Sequence, residues 1–221
     1  MIATELINPV IPSLHPSDLA EKALHWMEEL RVNQLPVVEN GIYAGLIRDE
    51  AVLEAAQQKK QVGSFPLVDK NCFVYENQHF YDIIKAAAEF GVQTVAVLDG
   101  EGLYQGVITL EDTIAAFAQT AAVQSPGAIM ILSLNQVDYS MAEIGRLIES
   151  DGGKILCSSI STDLHDPSRI KLTLKINKKD ISRIIATLER FGYRIIATFQ
   201  ETEVMSNDKD RLDMLIRFLE I

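Results

Sequence analysis

A hydroxyl and a carboxylate stand three positions apart, Thr109 and Asp112, in the stretch Gly106-Val107-Ile108-Thr109-Leu110-Glu111-Asp112-Thr113-Ile114. Val107 and Ile108 read as a buried strand. Ile114, Ala115, Phe117, Ala118 and Ala121 read as the apolar positions of a helix that follows it directly. A side-chain oxygen just ahead of such a run can cap the helix by accepting a backbone N–H. Groups suited to catalysis are sparse elsewhere. His15, His25, His79 and His165 share no HxxxH spacing, and none has a cysteine at ligand spacing. No GxSxG, Walker A or GxGxxG motif occurs. Glu28-Glu29 and Asp49-Glu50 are adjacent pairs, which suit a solvated face better than acid/base work. The expectation is a protein without catalytic residues, metal or resident cofactor.

Charge narrows the partners. The chain has 221 residues, a net charge of −11 and 48% hydrophobic content, enough for a real core. The acidity lies in the first half, where residues 1–124 hold 7 Lys/Arg against 17 Asp/Glu, while residues 125–221 hold 13 against 14. An acidic surface repels polyanions, so nucleic acid is a poor partner, and highly charged nucleotides need local compensation. No run of about 18 apolar residues is present to span a membrane. The N-terminus lacks the basic and apolar regions of a signal peptide. Cys72 and Cys157 are far apart and fit buried thiols in a reducing cytosol. These points give an expected cytoplasmic location.

The elements that must position Thr109 and Asp112 occur twice. Asn8-Pro9-Val10-Ile11-Pro12 is extended, and Ser17-Asp18 reads as the cap of a helix through Leu19, Ala23, Met27 and Leu30. Leu35-Pro36-Val37-Val38, the Asn40-Gly41 turn and Tyr43-Ala44-Gly45-Leu46-Ile47 form a hairpin, followed by a helix from Asp49 to about Lys60. About sixty residues later the order returns. Cys72-Phe73-Val74-Tyr75 is extended, and Asn77 to Phe90 is helical, with Ile83, Ile84, Ala87 and Phe90 on one side. Val95-Ala96-Val97-Leu98 and Gly106-Val107-Ile108 then form the second hairpin. Two copies, residues 1–62 and 63–122, are each too small to bury a sheet alone and should pack as a pseudo-twofold pair.

A hydrophobic-Pro-Val strand, a hairpin and then Gly-hydrophobic-hydrophobic-Thr-x-x-Asp resembles a tandem CBS-domain pair, or Bateman module, over about residues 1–122. That resemblance implies a cleft for an adenosine nucleotide. Thr109 and Asp112 would meet phosphate and ribose, Thr94, Val95 and Ala96 would face the base, and Tyr75 would lie nearby. A carboxylate at a helix start can accept from both ribose hydroxyls, and free N–H groups there suit a phosphate. The first copy reads Arg48-Asp49-Glu50-Ala51 instead, so its cleft, with Leu35 and Pro36, lacks the sugar contact. There Arg48 could meet a phosphate, and Asp49 suits an N-cap. Ala96 in place of the usual Pro, and the extra charge of Glu111, favour AMP or adenosine over ATP. The alternative is a ligand-free dimerisation and interaction module.

After Val123-Gln124-Ser125-Pro126-Gly127 the pattern changes to βαββαβ over residues 127–202, a ferredoxin-like order. Its strands are Ala128 to Leu134, Lys154 to Ile160, Ile170 to Ile176 and Tyr193 to Phe199. Its helices carry Met141, Ile144, Leu147 and Ile148, ended by Gly152-Gly153, and Ile181, Ile184, Ile185 and Leu188. This topology resembles an ACT domain, which implies an amino-acid site near Asn135 and Asp138. The loop lacks that family's glycine, and Asp138 and Ser140 equally suit loop and cap positions. Residues 206–221 read as a last helix, with a stripe of Leu212, Leu215, Ile216 and Leu219 widened by Met214, Phe218 and Ile221. Such a face must dock, and a homodimer seam is expected. The whole is a mixed α+β chain, similar in architecture to the acetoin-utilisation accessory proteins. It implies a regulator with a protein partner that the sequence does not identify.

Overall fold

Asn40 and Gly41 both adopt positive φ, 52° and 81°, the backbone of a two-residue type I′ turn. The turn joins β1 (Gln34–Glu39) to β2 (Ile42–Arg48) as an antiparallel pair. The computed structural model describes residues 1–53, 60–68, 70–164 and 166–200. Two compact units divide the chain, Met1–Ala118 and Gln119–Ile221. No helix among the described residues is long and apolar enough to cross a membrane.

In the first unit the repeat runs at an offset of about 60. Helices α1 (Ala20–Leu30) and α3 (Phe80–Phe90) each end on a left-handed residue, Arg31 with φ 55° and Gly91 with φ 61°. Between them, β2 runs into α2 (Asp49–Leu53). The second copy has β3 (Phe73–Tyr75), β4 (Thr94–Leu98) and β5 (Tyr104–Thr109), in the order β3-β4-β5, followed by α4 (Leu110–Ala118). Val74 pairs in parallel with Val97, and in the first copy Leu14 makes the matching parallel bridge to Val37. Both hairpins carry a register shift at the same place, between Val37 and Val38 and between Val97 and Leu98.

Each copy is completed by the segment that precedes the other. Ala3 and Thr4 donate backbone N–H to Gln78 and Glu76 at 2.8 and 3.0 Å, and buried Ala3 packs with Ile83 and Ile108. Correspondingly, Ala20 donates to Lys60 and Val62 donates to Asp18. Neither copy therefore closes its own core. A separate apolar cluster, with Leu14, Leu35, Val37 and Ile47, fills the first copy.

Several local expectations shift. Ser17-Asp18 does not cap α1, whose N-cap is Leu19 without a side-chain bond. Asp18 instead accepts from the His15 N–H at 2.8 Å and pairs with Lys22 at 2.8 Å. Helix α3 starts at Phe80 rather than Asn77, because His79 is the N-cap and accepts from the Tyr81 N–H. The helix after β5 ends at Ala118, and Ala121 begins a short α5 (Ala121–Gln124). The expected end of the helix from Asp49, at residues 54–59, and the tail stripe at 206–221 lie outside the described residues.

The second unit is ferredoxin-like. Its elements are β6 (Ala128–Asn135), α6 (Met141–Ser150), β7 (Ile155–Thr162), β8 (Arg169–Ile176), α7 (Ser182–Arg190) and β9 (Arg194–Phe199). The sheet order is β7-β8-β6-β9, antiparallel throughout. Ile170, Leu172, Leu174 and Ile176 alternate inward beside Met130, Leu132 and Leu134, and they pack on Ile144, Ile148, Ile184 and Leu188. Ser140 caps α6 by accepting from the Glu143 N–H at 3.3 Å, and Gly152 with φ 72° follows its end.

Candidate functional site

Thr109 is the last residue of β5 and the N-cap of α4, and it forms a reciprocal capping box with Asp112. The Asp112 N–H donates to Thr109 Oγ1 at 3.0 Å, and the Thr109 N–H donates back to Asp112 Oδ2 at 3.2 Å. The Thr109 hydroxyl also donates to Asp112 Oδ2 at 2.6 Å. A third donor comes from far away in sequence: Asn8 Nδ2 lies 3.2 and 3.0 Å from the two Asp112 oxygens. The capping role is thus real, and the carboxylate is held facing the leading segment of the chain.

Two cavities meet at this junction. One, of about 300 Å³, is lined by Arg31, Val32, Gln93, Thr94, Thr109, Leu110, Glu111 and Ile114. The other, of about 360 Å³, is lined by Asn8, Val10, Ile11, Leu30, Val32, Thr109, Glu111, Asp112 and Ala115. They share Val32, Thr109 and Glu111, and their sizes suit a small ligand. Thr94 is fully buried, and its Oγ1 has no hydrogen-bond partner among the described residues. A buried hydroxyl left unpaired costs free energy, and Thr94 is among the residues that line the first of these cavities.

The structure brings Thr94, Thr109 and Asp112 together and places the other expected contacts elsewhere. Val95 and Ala96 are core residues with 0% exposure, paired across to Ile108 and Val107. Tyr75 is exposed, packs edge-on against Phe73 and lines a different cavity with Glu76, Asn77 and Gly100. The expected free N–H groups at the α4 start are also partly spent. Leu110 donates to Gln93 O at 2.9 Å, and Asp112 donates to Thr109. Sequence reasoning missed Asn8, Val10, Ile11, Arg31 and Val32. Arg31 had no signal, since its place in the cavity follows from its left-handed backbone at the end of α1.

At the corresponding place in the first copy stand longer side chains. Gln34 stands where Thr94 stands, and Arg48 where Thr109 stands. Gln34 Oε1 accepts from the Gln93 N–H at 3.1 Å, and Arg48 Nη2 reaches Gly91 O at 3.5 Å. Both side chains cross to the second copy, and Arg48 Nε is buried without a partner among the described residues. Asp49 accepts from the adjacent Glu50 N–H, while Leu35 and Pro36 are buried.

In the second unit, Asn135 and Asp138 do lie together, with Asn135 Nδ2 donating to Asp138 Oδ2 at 2.7 Å. They line a cavity of about 500 Å³ with Glu143, Arg169, Tyr193 and Arg194. Arg169 Nε and Nη2 are held by Ser133 Oγ and O at 3.0 and 3.1 Å. Tyr193 donates to Glu143 Oε2 at 2.9 Å, and burial, with help from the Glu143 and Asp138 carboxylates, pushes its phenol up to about 12. Among the described residues no group of three His, Cys, Asp or Glu side chains is placed to hold a metal ion.

Residues 3–58 match the family model described as the CBS domain. In structure the chain is similar to a CBS domain pair/ACT domain protein from Thermotoga maritima, at 20% identity and a TM-score of 0.49, over 54% of this chain and 98% of that one. It is also similar to the CBS-pair protein CBSX2 from Arabidopsis thaliana, at 18% identity and a TM-score of 0.47, over 53% and 94%. CBSX2 in complex with AMP gives 20% identity and a TM-score of 0.46, over 53% and 96%. The AMP is the ligand of that protein.

Proposed function

We propose that this chain is a non-catalytic regulator whose second-copy cleft binds an adenosine-type ligand, adenosine or AMP. The observation that carries this reading is the fully buried, unpartnered Thr94 hydroxyl in the wall of a cavity that adjoins Asp112. A ribose can present two vicinal hydroxyls to the Asp112 carboxylate. Val32, Leu110 and Ile114 offer apolar surface to a planar base, and Thr94 offers it one hydrogen bond. Among the described lining residues, Glu111 and Asp112 set two negative charges against the single cation of Arg31, which supports at most one phosphate. Occupancy would bias the arrangement of the two copies, or the pairing of two chains, and so act on a protein partner. The competing reading is an interaction module whose clefts take no ligand.

Thermal melting and calorimetry with adenosine, AMP, ADP, ATP and S-adenosylmethionine separate these readings. A ligand at about 100 times its dissociation constant adds about 2.7 kcal/mol. Thr94→Val removes only the unpaired hydroxyl, so it should fold as well as wild type and bind about tenfold more weakly. Asp112→Ala should abolish the ligand-induced shift. No shift with any of the five would leave the interaction module.

A second reading rests on the cavity of the ferredoxin-like unit. Arg169 and Arg194 beside Asp138 and Glu143 form the charge set that a zwitterion requires, so a free amino acid is the ligand class that fits. One member of an amino-acid panel should raise the melting temperature, and Arg169→Met should lose that shift while Asp112→Ala keeps it. A flat response across the panel removes this reading.

A further inference from the structure

We propose that Asn8 is a displaceable latch on the nucleoside cleft, competing with a ribose for the Asp112 carboxylate. This rests on the reading of that cleft given above. The side-chain amide of Asn8 lies within 3.2 Å of both Asp112 oxygens, the same two acceptors that a vicinal diol would use. The backbone of Asn8 is fixed independently, since its N–H donates to Val107 O at 2.8 Å, while the Oδ1 of the same amide accepts from the Val10 N–H at 2.9 Å.

The first copy supplies the control. Val68 occupies the place of Asn8, because its N–H donates to Leu46 O as that of Asn8 does to Val107 O. Leu67 lies against Gly45 as Ile7 lies against Gly106. There the residue at the position of Asp112 is Ala51. Amide and carboxylate are present together in one copy and absent together from the other. A purely structural role for residues 7–8 is already met by the backbone bond, which both copies keep.

Residues 8–14 run from the second copy to the first. Asn8 is held by Val107, and Leu14 donates to Pro36 O and accepts from the Val38 N–H, each at 2.8 Å. Pro9 and Pro12 stiffen the span between them. Taking the carboxylate from Asn8 leaves the backbone bond to Val107 in place but frees the side-chain amide that also holds the Val10 N–H. The strap therefore loosens at Val10, and occupancy becomes a change in the segment that joins β5 to β1.

The test is calorimetry of adenosine binding to wild type and Asn8→Ala, with amide hydrogen exchange at Val10 in both. Removing the competitor should tighten binding about tenfold, the weight of one hydrogen bond to a charged group. Saturating adenosine should speed exchange at Val10 in wild type and leave Asn8→Ala, already fast, unchanged. Weaker or equal binding by Asn8→Ala, or slower exchange at Val10 in the complex, overturns the latch while leaving the cleft intact. Absence of binding heat from wild type overturns the cleft itself and the latch with it.

Discussion

Gln34→Thr, Arg48→Thr and Ala51→Asp together should raise the uptake of adenosine from the one equivalent proposed for the second copy to two. The three changes give the first copy the residues that Thr94, Thr109 and Asp112 supply in the second. Gln34 and Arg48 now reach across to Gln93 N and Gly91 O, at 3.1 and 3.5 Å, through the space a ligand would need. Shortening both opens it. The folded state should tolerate this. Arg48 Nε is buried without a partner among the described residues, so its removal relieves a cost. A Thr-x-x-Asp sequence at the start of α2 adds a capping box worth about 1 kcal/mol. Loss of the acceptor for the Gln93 N–H costs about the same, so the melting temperature should move little. Val68 leaves the new site without a latch, so it should bind more tightly than the old one. Calorimetric stoichiometry reads the result. One equivalent from a folded triple variant would mean that Gln34 and Arg48 are not what closes the first cleft.

Gly45→Ala should destabilise the first unit by about 3 kcal/mol, a fall of about 10 °C in melting temperature. Gly45 has φ +136°, and a Cβ there would lie 2.5 Å from Val68 O and 3.0 Å from Leu67 Cβ. Backbone cannot yield as a flexible side chain can. Val68 is also held in place, donating to Leu46 O at 2.6 Å and accepting from the Leu46 N–H at 3.2 Å. The substitution therefore strains φ and breaks the bridge by which the segment ahead of the second copy closes the first. Gly100→Ala is the matched control, since a Cβ there meets nothing within 4 Å and should leave the melting temperature unchanged. Equal melting of both variants would show that the close approach at Gly45 does not hold the segment.

What the sequence determined was local or periodic. The Asn40-Gly41 turn followed from two residues that tolerate positive φ, and the inward face of β8 followed from strict alternation. The capping role of Thr109 followed from a side-chain oxygen just ahead of an apolar helical run, and the return bond from Asp112 appeared only in the structure. The repeat was legible because the order of Leu35-Pro36-Val37-Val38, a turn and Gly45-Leu46-Ile47 returns about 60 positions later as Val95-Ala96-Val97-Leu98, a turn and Gly106-Val107-Ile108. Local reading failed where two local partners competed: Asp18 takes the His15 N–H and Lys22 instead of capping α1.

The tertiary structure alone decided which groups meet at the cleft. Asn8 and Asp112 are 104 positions apart, and no pattern in either neighbourhood points to the other. Tyr75, Val95 and Ala96 lie on the same strands that resemblance suggested, yet Val95 and Ala96 face the core and Tyr75 opens on another cavity. Whether a cleft is open depends on how far side chains of one copy reach into the other. Gln34 and Arg48 are long enough to cross, and Thr94 and Thr109 are not. Composition names the side chains, but only the packing of two copies against each other fixes the distance they must span.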